Sequence, residues 1–130
     1  MIDVVDKPRQ GTLDPELKLR LDDDPHAKKG YVYCATCSHV ISHIDHRIAV
    51  GGSHQHQFVN PHGYRFNVAC YAEALGCTVT GQPVAADTWF PFYRWRHAHC
   101  EECGIHLGWF FANEGNHAFF GLIVDQIQTD

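Results

Sequence analysis

The stretch that decides the fold is residues 87–111, DTWFPFYRWRHAHCEECGIHLGWFF. It contains the chain's three tryptophans, Trp89, Trp95 and Trp109, with a Cys-x2-Cys pair between the second and the third. An indole is costly to leave in water and carries one polar N–H, so three indoles beside a metal-ligand motif indicate a built site. A core that merely contains three tryptophans is the alternative, and this stretch alone does not separate the two.

Two Cys-x2-Cys pairs predict a structural metal site. Cys34 and Cys37 form the first pair, and Cys100 and Cys103 form the second. One pair alone is also typical of a redox motif, whereas two pairs of equal spacing offer the four thiolates that tetrahedral Zn²⁺ prefers. Four sulfur ligands leave no coordination position for water. We therefore expect one Zn²⁺ that stabilises the fold and does not catalyse a reaction.

Composition and charge exclude several function classes. The 130 residues are 45% hydrophobic and 19% charged, as in one soluble globular domain. Residues 31–130 carry eight acidic and four basic side chains, so nucleic acid is not an expected partner. No apolar run approaches the ~20 residues needed to cross a membrane, and the N-terminus lacks a signal-peptide pattern. We expect a cytoplasmic protein with no membrane partner.

Residues 1–30 and 31–130 differ in character. The first segment is polar and interrupted by prolines, so we expect a partly ordered arm, whereas every aromatic residue lies in the second. Side chains alternate at residues 54–59, 64–70 and 94–99, which predicts strands there, and residues 31–33, 77–80, 107–111 and 118–124 are further short strand candidates. Residues 71–76 fit one helical turn. No longer helical period occurs, so residues 31–130 are predicted to form an all-β domain.

The other reactive side chains do not form a catalytic pattern. The histidines are scattered, and His54 and His56 are better explained as one solvated strand face than as a second metal site. Cys70 falls on the apolar face of its predicted strand, so we expect an inert buried thiol. The tryptophans remain: three indoles standing as walls would enclose a flat ring, and the irregular segment before them, residues 82–88, would form the rim.

These motifs resemble the thalidomide-binding (CULT) domain of the cereblon family, especially its single-domain bacterial members. The resemblance runs from residue 33 to about residue 127 and includes both cysteine pairs, FVNPHGY at 58–64, WFP at 89–91 followed by Tyr93 and Trp95, HLGW at 106–109 and FGL at 120–122. It implies two roughly orthogonal antiparallel sheets pinned by a four-cysteine zinc site, the fold called a β-tent.

The resemblance also implies a binding function and no catalysis. Trp89, Trp95 and Trp109 would form an aromatic cage for the glutarimide ring of thalidomide-type drugs, for related cyclic imides, including those at damaged peptide C-termini, and for uracil-like rings such as uridine. Backbone groups of Asp87, Thr88 and Trp89 would bind the imide edge. Asn60, Phe66 and Phe111 would line or close the cage. No ubiquitin-ligase adaptor surface is expected.

Three positions depart from the family pattern. Asp87 stands where the human member has a histidine that donates to a ligand carbonyl, and an ionised aspartate only accepts hydrogen bonds. Phe92 replaces a glycine and is expected to narrow or roof the pocket. Phe111 replaces the tyrosine of some bacterial members. These changes are expected to alter ligand preference and to leave the cage itself intact.

Two other functions share part of the pattern. Methionine-R-sulfoxide reductases have a similar zinc-pinned architecture, but they carry a histidine at the position of Trp109 and a catalytic cysteine in a C-terminal strand. No cysteine follows Cys103 in this chain, so the sulfoxide would lack its nucleophile. A zinc-ribbon interaction module with a purely structural tryptophan core is the other alternative.

Overall fold

The computed structural model describes residues 29–129, which form nine β-strands and two short 3-10 helices. The strands are β1 (Tyr31–Cys34), β2 (Val40–His43), β3 (Gln55–Val59), β4 (Arg65–Tyr71), β5 (Cys77–Val84), β6 (Arg94–Cys100), β7 (His106–Ala112), β8 (Ala118–Ile123) and β9 (Ile127–Thr129). The 3-10 helices are Ile44–His46 and Val124–Gln126. The all-β prediction is confirmed. The arm expected at residues 1–30 lies outside the described residues except for Lys29 and Gly30.

The strands form two antiparallel sheets. The smaller has the order β2-β1-β9, and the larger has the order β3-β4-β8-β7-β6-β5. Two cysteines connect the sheets to the expected metal site, since Cys34 ends β1 in the small sheet and Cys100 ends β6 in the large one. None of the helical segments within residues 29–129 has the length and hydropathy of a membrane span.

Strand β4 separates two apolar clusters. Val68 and Cys70 belong to one cluster, together with Trp109, whereas Ala69 and Tyr71 belong to the other, which includes Cys34 of the small sheet. Residues 64–70 were predicted to form a half-buried strand, but every side chain from Val68 to Tyr71 is buried. The small sheet covers one face of the large sheet, and the segment before β6 covers the other, so alternation fails as a guide there.

Two local predictions were wrong, and two short strands, β2 and β9, were missed. Residues 71–76 form a bend and a turn, and Gly76 packs so closely that an added Cβ would lie 2.1 Å from the Val40 carbonyl oxygen. β5 continues through Pro83, which an edge strand tolerates because its outward N–H groups need no partner. β9 has three residues and was not predicted, because so short a strand shows no period.

Candidate functional site

The four cysteines of the two Cys-x2-Cys pairs meet where the two sheets join. Their Sγ atoms all lie within 4.8 Å of one another. The Cys34 and Cys103 Sγ atoms are 3.7 Å apart, and those of Cys37 and Cys100 are 3.5 Å apart. Four sulfurs about 2.3 Å from a tetrahedral Zn²⁺ would be separated by roughly 3.8 Å. The cluster could therefore hold one metal ion.

The two cysteine turns are built by the same backbone hydrogen bonds. In each turn, the backbone N–H of the first cysteine donates to the carbonyl of the residue five positions later. The carbonyl of the same cysteine accepts the N–H of the residue four positions later. These partners are His39 and Ser38 in the first turn and Ile105 and Gly104 in the second. Ser38 and Gly104 both have positive φ, 67° and 79°. This left-handed residue reverses the chain after the second cysteine, so both thiols of a pair face inward.

A side-chain contact also joins the two turns. His39 Nε2 lies 2.7 Å from Glu101 Oε2, and the His39 side chain is only 7% exposed. His39 follows the first cysteine turn, whereas Glu101 lies inside the second. The contact therefore links the two turns to each other.

The remaining two thiols lie outside the cluster and are poorly suited to nucleophilic chemistry. Burial raises the pKa of Cys70 to about 11. Burial also raises the pKa of Cys77, and the neighbouring Cys100 and Glu101 raise it further. A thiol with a raised pKa remains protonated at neutral pH and reacts slowly, which agrees with the expected inert role of Cys70.

A pocket of about 480 Å³ opens on the face of the large sheet that carries Trp109. Seven of the eight predicted ligand-binding residues line it: Asn60, Phe66, Asp87, Trp89, Trp95, Trp109 and Phe111. Thr88 is not among the lining residues, and its hydroxyl donates instead to the Phe90 carbonyl at 3.3 Å. Pro61, His62, His97 and His106 also line the pocket and were not predicted.

The three tryptophans come from three different parts of the fold. Trp95 on β6 lies opposite Phe111 on β7, and His97 lies opposite Trp109, so these side chains share one face of the paired strands. The turn that joins β6 to β7 is the second cysteine turn, and it therefore anchors the hairpin that forms much of the pocket wall. Trp89 comes from the segment before β6. The next residue, Phe90, is only 6% exposed and anchors this segment in the core.

The aromatic walls support one another directly. The rings of Trp89 and Trp109 meet edge to face, with centroids 4.7 Å apart and planes at 78°. Phe66 contacts both rings, and Phe58 stacks on Trp89 at 4.7 Å with planes at 7°. These are favourable geometries for aromatic pairs. Two walls of the pocket are thus fixed by protein contacts alone.

Hydrogen bonds attach the rim to the walls. The indole N–H of Trp95 donates to the Ala86 carbonyl at 2.8 Å, immediately before Asp87. Within residues 29–129, the indole N–H groups of Trp89 and Trp109 have no such partner. Asn60 Oδ1 accepts the backbone N–H groups of His62 and Tyr64, so its NH₂ group is the part that can donate to a ligand.

The segment before β6 contains two residues with a strained backbone. Asp87 has φ 57° and Phe92 has φ 76°, a left-handed conformation that is unusual for a non-glycine residue and rare for a bulky one. The Phe92 residue is 94% exposed and does not line the pocket. The expectation that Phe92 roofs the pocket is therefore wrong, because its left-handed backbone directs the ring into solvent.

The missed histidines differ in how far sequence could reveal them. His97 follows Trp95 by two residues on a strand, so the shared face was readable from the alternation. His106 reaches this face through a bulge: His97 pairs with Trp109, yet His99 pairs with His106, which leaves Leu107 as an extra residue. Gly108, an isolated glycine within the predicted strand, is the one sequence signal that could have indicated that bulge.

His106 is fixed in one neutral form. Its Nε2–H donates to the Gly108 carbonyl at 2.8 Å, which leaves Nδ1 with a lone pair. Burial lowers the pKa of His106; the bond to Gly108 opposes this, while His97 and His99 lower the pKa further. Its ring centroid lies 5.0 Å from that of Trp109.

Comparison with known proteins finds similarity to the cereblons of several animals. No family model matches the chain. The chain is 39% identical over 54 residues to protein cereblon of Xenopus tropicalis and 41% identical over 54 residues to that of Gallus gallus; each match covers 42% of this chain and 12% of the relative. It is 30% identical over 113 residues to protein cereblon of Drosophila virilis, covering 82% of this chain and 18% of the relative. The chain thus spans less than a fifth of the length of these relatives.

Proposed function

Because this chain is a cereblon-type (CULT) relative, we propose that it is a binding domain whose tryptophan pocket takes a cyclic imide or a uracil-like ring. One observation carries the proposal: Trp89, Trp95 and Trp109, from separate elements, line a single pocket of about 480 Å³. This volume lies within the range of small-molecule sites. A flat ring would lie between the indoles, and burial of its faces would provide most of the affinity.

Polar groups of the rim would orient the ring. An imide edge presents one N–H between two carbonyls, so it needs an acceptor flanked by donors. Acceptors are available in the backbone and carboxylate of Asp87, and donors in the NH₂ group of Asn60 and the indole N–H groups of Trp89 and Trp109. We propose Asp87, Thr88 and Trp89 as backbone contacts, and Phe66 and Phe111 as apolar lining.

We propose that the metal at the cysteine cluster is one structural Zn²⁺. The donor set is four thiols, and the Sγ separations of 3.5 and 3.7 Å fit its tetrahedral geometry. A bound metal ion would cross-link the two sheets. Cys34 and Cys37 would attach it to the small sheet, and Cys100 and Cys103 would attach it to the large sheet. Reduced thiols of this kind suit a reducing compartment, which supports a cytoplasmic location.

We propose binding without catalysis. A reductase mechanism needs a nucleophilic thiolate at the substrate, and the thiols outside the cluster, Cys70 and Cys77, are buried with raised pKa. A zinc-ribbon module with a structural tryptophan core would leave no pocket against the indoles, whereas all three indoles line a pocket of about 480 Å³. A methionine sulfoxide turnover assay should give no activity; turnover would restore the reductase alternative.

Ligand titration tests the proposal. Glutarimide and uridine are titrated separately while tryptophan fluorescence and binding heat are followed, and each should give a saturable signal. Trp95→Ala removes a half-buried wall and its bond to Ala86, so affinity should fall by about 30-fold, a hot-spot loss of ~2 kcal/mol. Phe92→Ala is the matched control, because it removes an exposed aromatic residue of the same segment. No saturable change at millimolar ligand would refute the binding function.

A further inference from the structure

Two imidazoles complete the wall between two of the indoles. The ring of His97 lies 5.3 Å from that of Trp95 and 5.3 Å from that of His106, and His106 in turn contacts Trp109. All four side chains line the pocket. Between Trp95 and Trp109 the pocket is therefore lined by imidazole rings as well as indoles.

The imidazole nitrogens can contact a ligand. The Nε2–H of His106 is engaged by Gly108, so Nδ1 is an acceptor when the ring is neutral and becomes a donor on protonation. His97 is exposed and makes no hydrogen bond within residues 29–129, so both of its nitrogens can serve a ligand or solvent.

Few other charges face this wall. Asp87 and His62 line the same pocket from the loops, and His99 approaches His97 along β6. From the neighbouring strands, His97 is opposite Thr80 of β5 and Trp109 of β7, neither of which titrates near neutral pH. Arg96 alternates to the other face of β6, and its Nε donates to the Gly81 carbonyl. Asp87 is the acidic residue among the lining residues, and the imidazoles are the groups there that can carry positive charge.

We propose that His97 and His106 form a recognition wall for an anionic substituent on the bound ring, so that the pocket selects ring carboxylates over neutral rings as the pH falls. This inference rests on the proposed ring-binding function and adds a charge preference to it. A protonated imidazole donates charge-assisted hydrogen bonds to a carboxylate, which are about twice as strong as neutral ones.

Proton binding and carboxylate binding should strengthen each other. His106 is held neutral by burial and by its imidazole neighbours, which lower its pKa. A carboxylate against the wall stabilises the protonated ring and raises that pKa, so binding takes up protons and strengthens as the pH decreases. A neutral ring gives no such stabilisation, and its affinity should change little over the same range.

The experiment compares uracil with uracil-6-carboxylate, two probes that share the ring and keep their own charge between about pH 5.5 and pH 8. Both are titrated calorimetrically at the two ends of this range in buffers of different ionisation enthalpy. We expect the affinity ratio of carboxylate to uracil to rise at least about tenfold on acidification, a difference of ~1.4 kcal/mol, with proton uptake for the carboxylate alone.

Three variants localise the effect. His97→Gln keeps hydrogen bonding but does not titrate, so the change in ratio should fall to about threefold or less, as expected if one of the two charges is lost. His117→Gln, an exposed histidine outside the pocket, should behave like the parent protein. Asp87→Asn removes a repulsive charge and should raise carboxylate affinity at both pH values, leaving the pH trend in place.

The outcomes are distinguishable. Saturable uracil binding with a pH-independent ratio, or a full pH trend in His97→Gln, overturns the inference and leaves the ring-binding function standing. No saturable binding of either probe overturns both.

Discussion

At the scale of single residues, the proposed function assigns the choice of ring to the polar groups of the pocket and its burial to the indoles. Asp87 illustrates this. Its carboxylate lines the pocket, it accepts hydrogen bonds only, and its φ of 57° lies in a region that Asp and Asn tolerate better than most residues. An amide in its place would retain the backbone and add a donor.

Asp87→Asn should therefore strengthen glutarimide binding by about three- to tenfold, the worth of one neutral hydrogen bond. Titration calorimetry measures the change. Glu114→Gln, an exposed acidic-to-amide change outside the pocket, is the control and should leave affinity unchanged. Equal or weaker binding by Asp87→Asn would refute the prediction that a donor at this position contacts a ligand carbonyl.

Phe92 carries backbone strain without a compensating contact. It is 94% exposed and has φ 76°, so the residue gains little burial for an unfavourable conformation. Asn adopts the left-handed region more easily, and Phe92→Asn should raise the free energy of unfolding by about 0.5–1 kcal/mol. Urea denaturation checks this. Leu75→Asn, at an exposed site that lacks positive φ, should give no gain.

At the scale of elements, the close approach of β7 and β8 sets the position of Trp109. Gly108 has φ 154°, and a Cβ added there would lie 2.0 Å from the Gly121 carbonyl oxygen. Gly121 itself lies opposite Trp109, and a Cβ on it would meet Val68 at 2.8 Å. The two glycines thus let the sheet close tightly beside the pocket.

Gly108→Ala should lower the free energy of unfolding by at least about 3 kcal/mol, because the clash is with backbone that cannot rotate away. Gly81→Ala is a matched control: its φ is +86°, but no atom lies within 4 Å of the added Cβ. It should cost about 1 kcal/mol, the left-handed penalty alone. Equal losses in the two variants would refute the packing argument.

Alternation predicted β3, β4 and β6 of the large sheet closely because each has at least one face that meets an apolar cluster. It failed where tertiary context takes over. β4 has apolar clusters on both faces from Val68 onward, β5 passes through Pro83 because it is an edge, and His106 changes face at the Leu107 bulge. The cysteine spacing predicted the metal cluster, but the left-handed turn at Ser38 could not be read from a serine.

At the scale of the whole molecule, the cysteine cluster and the pocket are two ends of one hairpin. β6 carries Trp95 and ends at Cys100, β7 carries Trp109, and Cys103 lies in the turn between them. A metal ion at the cluster would hold this turn against β1 of the small sheet and thereby preserve the register that places Trp95 opposite Phe111. The site for metal and the site for ligand should therefore be energetically coupled.

Removing the metal should accordingly abolish ring binding as well as destabilise the fold. Cys100→Ser should lose the zinc measured by mass spectrometry and give little cooperative thermal unfolding, since structural zinc supplies about 10–16 kcal/mol in small domains. Cys77→Ala tests specificity: this thiol lies opposite Cys100 on β5 but outside the cluster, so the variant should retain one zinc per chain and bind glutarimide. A chelator-treated parent protein that stays folded and still binds the ring would show that the hairpin holds its register unaided, and the proposed coupling would be wrong.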